Sequence, residues 1–188
     1  MKTIKYFISL VLLLCLFTNC KEQEFEEIYS ELDGAEYLAD MSGEMNTKKA
    51  ARLIVENKTD KVPIEFQVLI ADSLITTDTF WQKTYLEALS KTIGNFNEGQ
   101  RRAIGPQLFN FFIHHPKSYQ EQVIGMDFES SDFFLELISI EINKHLQDQQ
   151  ITINSIINLA VKYCEHCSDS NIDFLINYIE LAQKLVIE

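Results

Sequence analysis

Thr152-Ile153-Asn154-Ser155-Ile156-Ile157-Asn158-Leu159-Ala160-Val161-Lys162-Tyr163-Cys164 is the stretch from which the fold is read. Ile153, Ile156, Ile157, Ala160, Val161 and Cys164 follow the i, i+3, i+4, i+7 spacing that lines apolar side chains along one side of an α-helix. Thr152 stands just before them and offers an oxygen to the unpaired amides of a helix N-terminus. A half-buried strand would show alternation at period two, which no segment of the chain sustains. The spacing predicts a helix that lays one stripe against a partner.

The same reasoning extends outward in both directions. After it, Ser168 or Asp169 is placed to cap a last helix with the stripe Ile172, Leu175, Ile176, Ile179, Ala182 and Val186. Before it, Ser130 or Ser131 is expected to open the longest helix, reaching about Asp148 with Phe134, Leu137, Ile138, Ile142 and Leu146 inward. Further forward, Gly105-Pro106 is expected to break one helix and Pro116 to start another, because proline lacks a donor and clashes with the preceding turn. Such a Pro-broken middle would leave a groove. Trp81, Tyr85 and Leu89 share one face of a helix capped by Thr77 or Asp78. Pro63 leads a helix from Ile64 to Ile75, Asn46 or Thr47 caps one over 48–57, and Glu36 to Met45 reads as a short helix.

The fold class that follows is all-α, an irregular antiparallel bundle of seven or eight helices with short loops. Hairpin spacing of about thirty residues leaves a short HEAT-like α-solenoid as the alternative.

The front of the chain reads as an address. Met1 to Lys5 is short and basic, Tyr6 to Phe17 is apolar apart from Ser9, and Thr18-Asn19-Cys20 closes the run. Twelve residues make about 18 Å of helix, short of the roughly 30 Å needed to span a bilayer. This is the layout of a secretory signal. Leu16-Phe17-Thr18-Asn19-Cys20 resembles the lipobox of bacterial lipoproteins. The resemblance implies cleavage by signal peptidase II before Cys20 and lipid on Cys20, a diacylglyceryl thioether plus an N-acyl chain. It also implies a place in a Gram-negative cell envelope, at the outer membrane, held through the lipid alone. The organisation is then a signal at 1–19, an acidic tether at 20–33 and one helical domain at 34–188. Lys21-Glu22-Gln23-Glu24 resembles an export tag to the outer face of that membrane and reads equally well as a solvated linker.

Composition narrows the partners. Residues 1–19 hold Lys2 and Lys5 and no acid, so of 16 basic and 28 acidic side chains the remainder keeps 14 and 28, a formal charge of −14. Nucleic acid is excluded on that ground, since binding it draws on phosphate neutralisation by Lys and Arg.

Chemical motifs are few. Cys164-Glu165-His166-Cys167 reads as buried thiols, as a disulfide between Cys164 and Cys167, or as a metal or redox site using Cys164, His166 and Cys167. Asp169, Asn171, Asp173 and Glu180 copy part of a calcium loop, but Phe174 takes the place where the turn needs glycine. His114-His115 is a lesser metal candidate, and Glu141 and His145 are spaced to face each other. Phe109, Phe111, Phe112, Phe128, Phe133 and Phe134 read as core, or in part as the lining of a partner groove. HExxH, GxSxG and P-loop signatures are absent. The function expected is a lipid-anchored, non-enzymatic protein- or peptide-binding module, comparable by analogy with immunity or inhibitor proteins, and no cofactor is implied beyond the lipid. The alternatives are an enzyme with a site in the Pro-broken groove, and a metal or redox role for Cys164, His166 and Cys167.

Overall fold

The computed structural model describes residues 43–185. The signal at 1–19, Cys20, the tether, most of the helix expected at 36–45, and Val186 lie outside them. Residues 43–45, at the end of that expected helix, are not helical. The helices all belong to the unit that begins at Met45.

Eight α-helices and no strand are found among the described residues: α1 (Thr47–Val55), α2 (Ile64–Leu69), α3 (Thr79–Ser90), α4 (Glu98–His114), α5 (Pro116–Val123), α6 (Phe128–Leu146), α7 (Ile153–Tyr163) and α8 (Asp169–Lys184). Short 3₁₀ turns at 59–61, 71–73 and 93–95 complete the connections. The fold is therefore the all-α bundle that the apolar spacing predicts.

Side-chain caps fix most helix starts. Asn46 Oδ1 accepts from Lys49 N at 2.8 Å, and Asp78 Oδ1 from Phe80 N at 2.9 Å. Asn97 and Gln100 form a reciprocal capping box, as do Thr152 with Ser155 and Ser168 with Asn171. The longest helix starts earlier than Ser130: Asp127 is its cap, accepting from Ser130 N at 2.8 Å and Ser130 Oγ at 2.9 Å. Serine and aspartate compete for this role, and the carboxylate takes it by bonding both groups of Ser130. At the other end of α1, Asn57 adopts φ +61, and Lys58 N donates to Leu53 O while Asn57 N donates to Ile54 O. That is a Schellman closure with asparagine at the left-handed position.

Helix α4 is the main departure from expectation. It runs unbroken through Gly105-Pro106. Proline in a helix interior costs about 3 kcal/mol. The same helix buries Ile104, Leu108, Phe109, Phe111, Phe112 and Ile113. Each such side chain contributes about 1.5–3 kcal/mol, so burial outweighs the missing hydrogen bond several times over. The carbonyl that Pro106 leaves unbonded belongs to Arg102, an exposed residue, where water can serve it. Gly105 faces α6, where a Cβ would meet the Glu141 side chain at 3.4 Å, in van der Waals contact.

Around α4 lie α2, α5, α6 and α7, while α8 packs on α5, α6 and α7, and α1 on α2 and α3. One helix enclosed by four others is a bundle arrangement; in a solenoid each unit touches only its neighbours in the stack. The stripe of α7 is buried at Ile156, Ala160 and Cys164 and half-buried at Ile153, Ile157 and Val161. No helix among the described residues is long and apolar enough to cross a membrane.

Candidate functional site

Consider first the side chains marked out by the sequence. Cys164 and Cys167 are bonded to each other across the α7–α8 connection, with Cα atoms 5.4 Å apart. Cys167 N donates to Cys164 O at 3.2 Å, and His166 sits at φ +61 inside that turn, exposed. Paired sulfurs are not thiolates, the form that ligates metal or attacks. His114 lies edge-on to Tyr163 at 4.3 Å, and His115 stacks on Phe111 at 5.5 Å. Burial, and then the neighbouring His114, hold the His115 imidazolium below its ordinary pKa.

Glu141 and His145 do not pair. Glu141 is buried, with its carboxylate 3.3 Å from Lys144 Nζ, and the His145 ring lies 5.2 Å from Phe109. The carboxylate is turned toward Lys144, and the imidazole rests beside the Phe109 ring. Asn171 belongs to the Ser168 capping box and also donates from Nδ2 to Gln120 Oε1 at 2.9 Å. The calcium-loop resemblance is thus a cap followed by helix α8. Among the described residues, no group of three His, Cys, Asp or Glu side chains could hold a metal ion.

The aromatic residues divide sharply. Phe109, Phe111, Phe112, Phe133 and Phe134 are buried. Around them Tyr119 and Tyr178 share a hydrogen bond of 2.6 Å between their hydroxyls, and Phe112 lies 5.0 Å from Tyr119 and 5.4 Å from Tyr178. Burial, then the charge and hydrogen bond of Tyr178, hold the Tyr119 hydroxyl well above the usual phenol range. Burial likewise pushes Tyr178 up. Both are neutral core groups, suited to rigid packing and not to proton transfer near neutrality.

Phe128 is the exception, at 85% exposed. It opens α6 directly after the turn Ile124-Gly125-Met126-Asp127, in which Ile124 is 68% exposed. The turn is held at both ends. Gly125 N donates to Gln122 O and Met126 N to Val123 O, while Asp127 is fixed by the amide and hydroxyl of Ser130. Those bonds from Ser130 keep the Asp127 carboxyl below the usual carboxylate range, so the charge is maintained. Beside the turn a groove of about 400 Å³ runs to α3, lined by Lys83, Glu87, Glu121, Met126 and Asp127 among others. Glu87 pairs with Lys91 at 3.3 Å.

A second groove, of about 870 Å³, lies between α4, α6 and the end of α8. Its charges are matched: Arg101 lies 3.5 Å from Glu136, Arg102 pairs with Glu98, and Lys144 pairs with Glu141. Arg101 also rests its guanidinium 5.1 Å from the Phe133 ring. At the α1–α3 contact, Lys48 Nζ and Arg52 Cζ lie 4.7 Å and 4.9 Å from the Trp81 ring centre, so the basic cluster near the front covers an aromatic face.

Treating the phenylalanines as one cluster misses Phe128. The signal that separates it is helical phase. Phe133, Phe134, Leu137 and Ile138 share a face, whereas Phe128 stands four residues before the exposed Asp132. No protein-family model, curated protein or solved structure matches the chain.

Proposed function

We propose that this protein is a lipid-anchored envelope protein, tethered through Cys20, whose helical body binds another protein or a peptide without catalysing a reaction. The observation that carries the binding half is the pair Ile124 and Phe128, exposed on a turn that hydrogen bonds hold in place. Exposed large apolar side chains on an ordered element cost solvation in the free protein and are recovered on association. An ordered turn also spares the entropy of fixing the contact residues when a partner arrives.

Two features support the location. One is the run Lys2 to Cys20, with its basic start, apolar centre and terminal cysteine. The other is the Cys164–Cys167 bond, which persists in oxidising compartments and is rare in a reducing cytosol. Several acyl chains on Cys20 would make the attachment stable, since one chain alone binds membranes marginally.

Labelling with radioactive palmitate in a Gram-negative host tests the anchor. Label on the full-length protein and none on Cys20→Ser is the expected result; label retained by Cys20→Ser overturns it. For binding, the expected result is a partner recovered from intact envelopes at fixed stoichiometry and re-formed from the two purified proteins. A chain recovered alone at every salt concentration overturns that half.

A further inference from the structure

From the same surface, and resting on the binding reading above, we infer the partner's chemistry: a cationic polypeptide presenting an apolar pocket rimmed by Lys or Arg, which receives Phe128 and Ile124. The apolar knob is not set in neutral surroundings. Asp127 and Glu129 flank Phe128 in sequence, Asp132 follows one helical turn later, and Glu121 lies one turn before Gly125; all four acids are exposed. The adjoining groove is lined by Glu121 and Asp127 against the single cation Lys83 of its lining, Glu87 being paired with Lys91. The whole chain carries a formal charge of −12, so the far field has the same sign as the near one.

That pattern chooses among occupants. A second copy docking through this face would bring like-charged rims together, which opposes association. A lipid surface would have to accept the carboxylates of Asp127 and Glu129 alongside Phe128, and an anionic one would repel the body. A basic protein segment meets both halves at once. Its Lys or Arg side chains enter the acidic groove beside Met126, and its apolar pocket takes up the phenyl ring. Opposite charges would also speed the encounter and make it sensitive to salt. The groove at α4 and α6 lacks this bias, because its cations and carboxylates are already matched.

The test pans a random 16-residue peptide library displayed on phage against the full-length protein in detergent. Expected are peptides in which Lys or Arg flank apolar residues, binding at least 10-fold more weakly to Phe128→Ala and to Glu121→Gln/Glu129→Gln. Binding should weaken steeply with added salt and stay unchanged in Phe80→Ala, which truncates a different half-exposed ring. Acidic or neutral selected peptides overturn the inference, as does a library that yields no binder. Peptides that bind Phe128→Ala as well as wild type overturn it while leaving the binding reading intact. Self-association lost in Phe128→Ala assigns the face to a second copy. Partition onto zwitterionic phosphatidylcholine vesicles lost in Phe128→Ala, measured on the Cys20→Ser background, assigns it to lipid. Either of these also overturns the inference.

Discussion

Tyr119 and Phe128 stand nine positions apart, on consecutive helices, and are handled in opposite ways. Tyr119 is fully buried, its ring edge-on to Phe112 and its hydroxyl bonded to Tyr178. Phe128 is almost entirely in solvent, although it has no polar atom to satisfy. Residue type would suggest the reverse placement, since a phenol costs more to bury than a phenyl ring. The lesson is that burial here follows helical phase and partner supply. Tyr119 points into a site where a second hydroxyl is waiting. Phe128 lies on the side of α6 that has no helix over it among the described residues. The difference between the two lies in what each helix packs against and not in the polarity of the side chain.

The contrast can be broken at its buried end first. Phe112→Ala empties a fully buried ring between Tyr119 and Tyr178, and should cost about 3–5 kcal/mol in denaturant unfolding. A cost below about 1 kcal/mol would mean that this cluster is not the core. The phenol pair comes next. Tyr119→Phe leaves the Tyr178 hydroxyl buried without its partner, and should cost about 1–3 kcal/mol. Tyr119→Phe/Tyr178→Phe removes both groups and should cost less than the sum of the two single changes.

The same pair gives stability a dependence on alkaline pH. The folded state holds both phenols protonated above their ordinary range, chiefly through burial. Above about pH 10 the unfolded chain has released these protons and the folded one has not, so stability falls as pH rises. Unfolding followed against pH should therefore steepen above about pH 10 in the wild type, and less so in the double variant.

Phe128→Ala is the smallest perturbation. With the ring in solvent, unfolding should move by no more than about 0.5 kcal/mol. A change above 1 kcal/mol would show that the ring packs against something in the free protein, and the contrast with Tyr119 would collapse.

Much of the architecture is legible in the sequence, for identifiable reasons. Helices α7 and α8 each lay a stripe on the body and face solvent with the rest, so their apolar periodicity is strong. Thr152 and Ser168 cap as their positions suggest. Helix α4 was not legible as one piece. It is surrounded by other helices, so its apolar residues are not confined to a stripe, and Pro106 carries a local rule that burial overrides. That Glu141 pairs with Lys144, while the His145 ring lies beside Phe109, involves a ring of α4 that is not near in sequence.

What the sequence determined by itself is the helical class, most helix ends and the sign of the surface charge. These rest on interactions within about four residues, or on simple totals. It also carries the lipobox-like run ending at Cys20, whose reading as an anchor is a matter for the labelling experiment. Tertiary structure alone decided that α4 crosses α6 unbroken, that Tyr119 meets Tyr178 fifty-nine residues along the chain, and that Phe128 stays outside. Each of these depends on which other helix occupies the neighbouring space. Local spacing carries no record of that, because a side chain's phase says which way it points and not what it will meet.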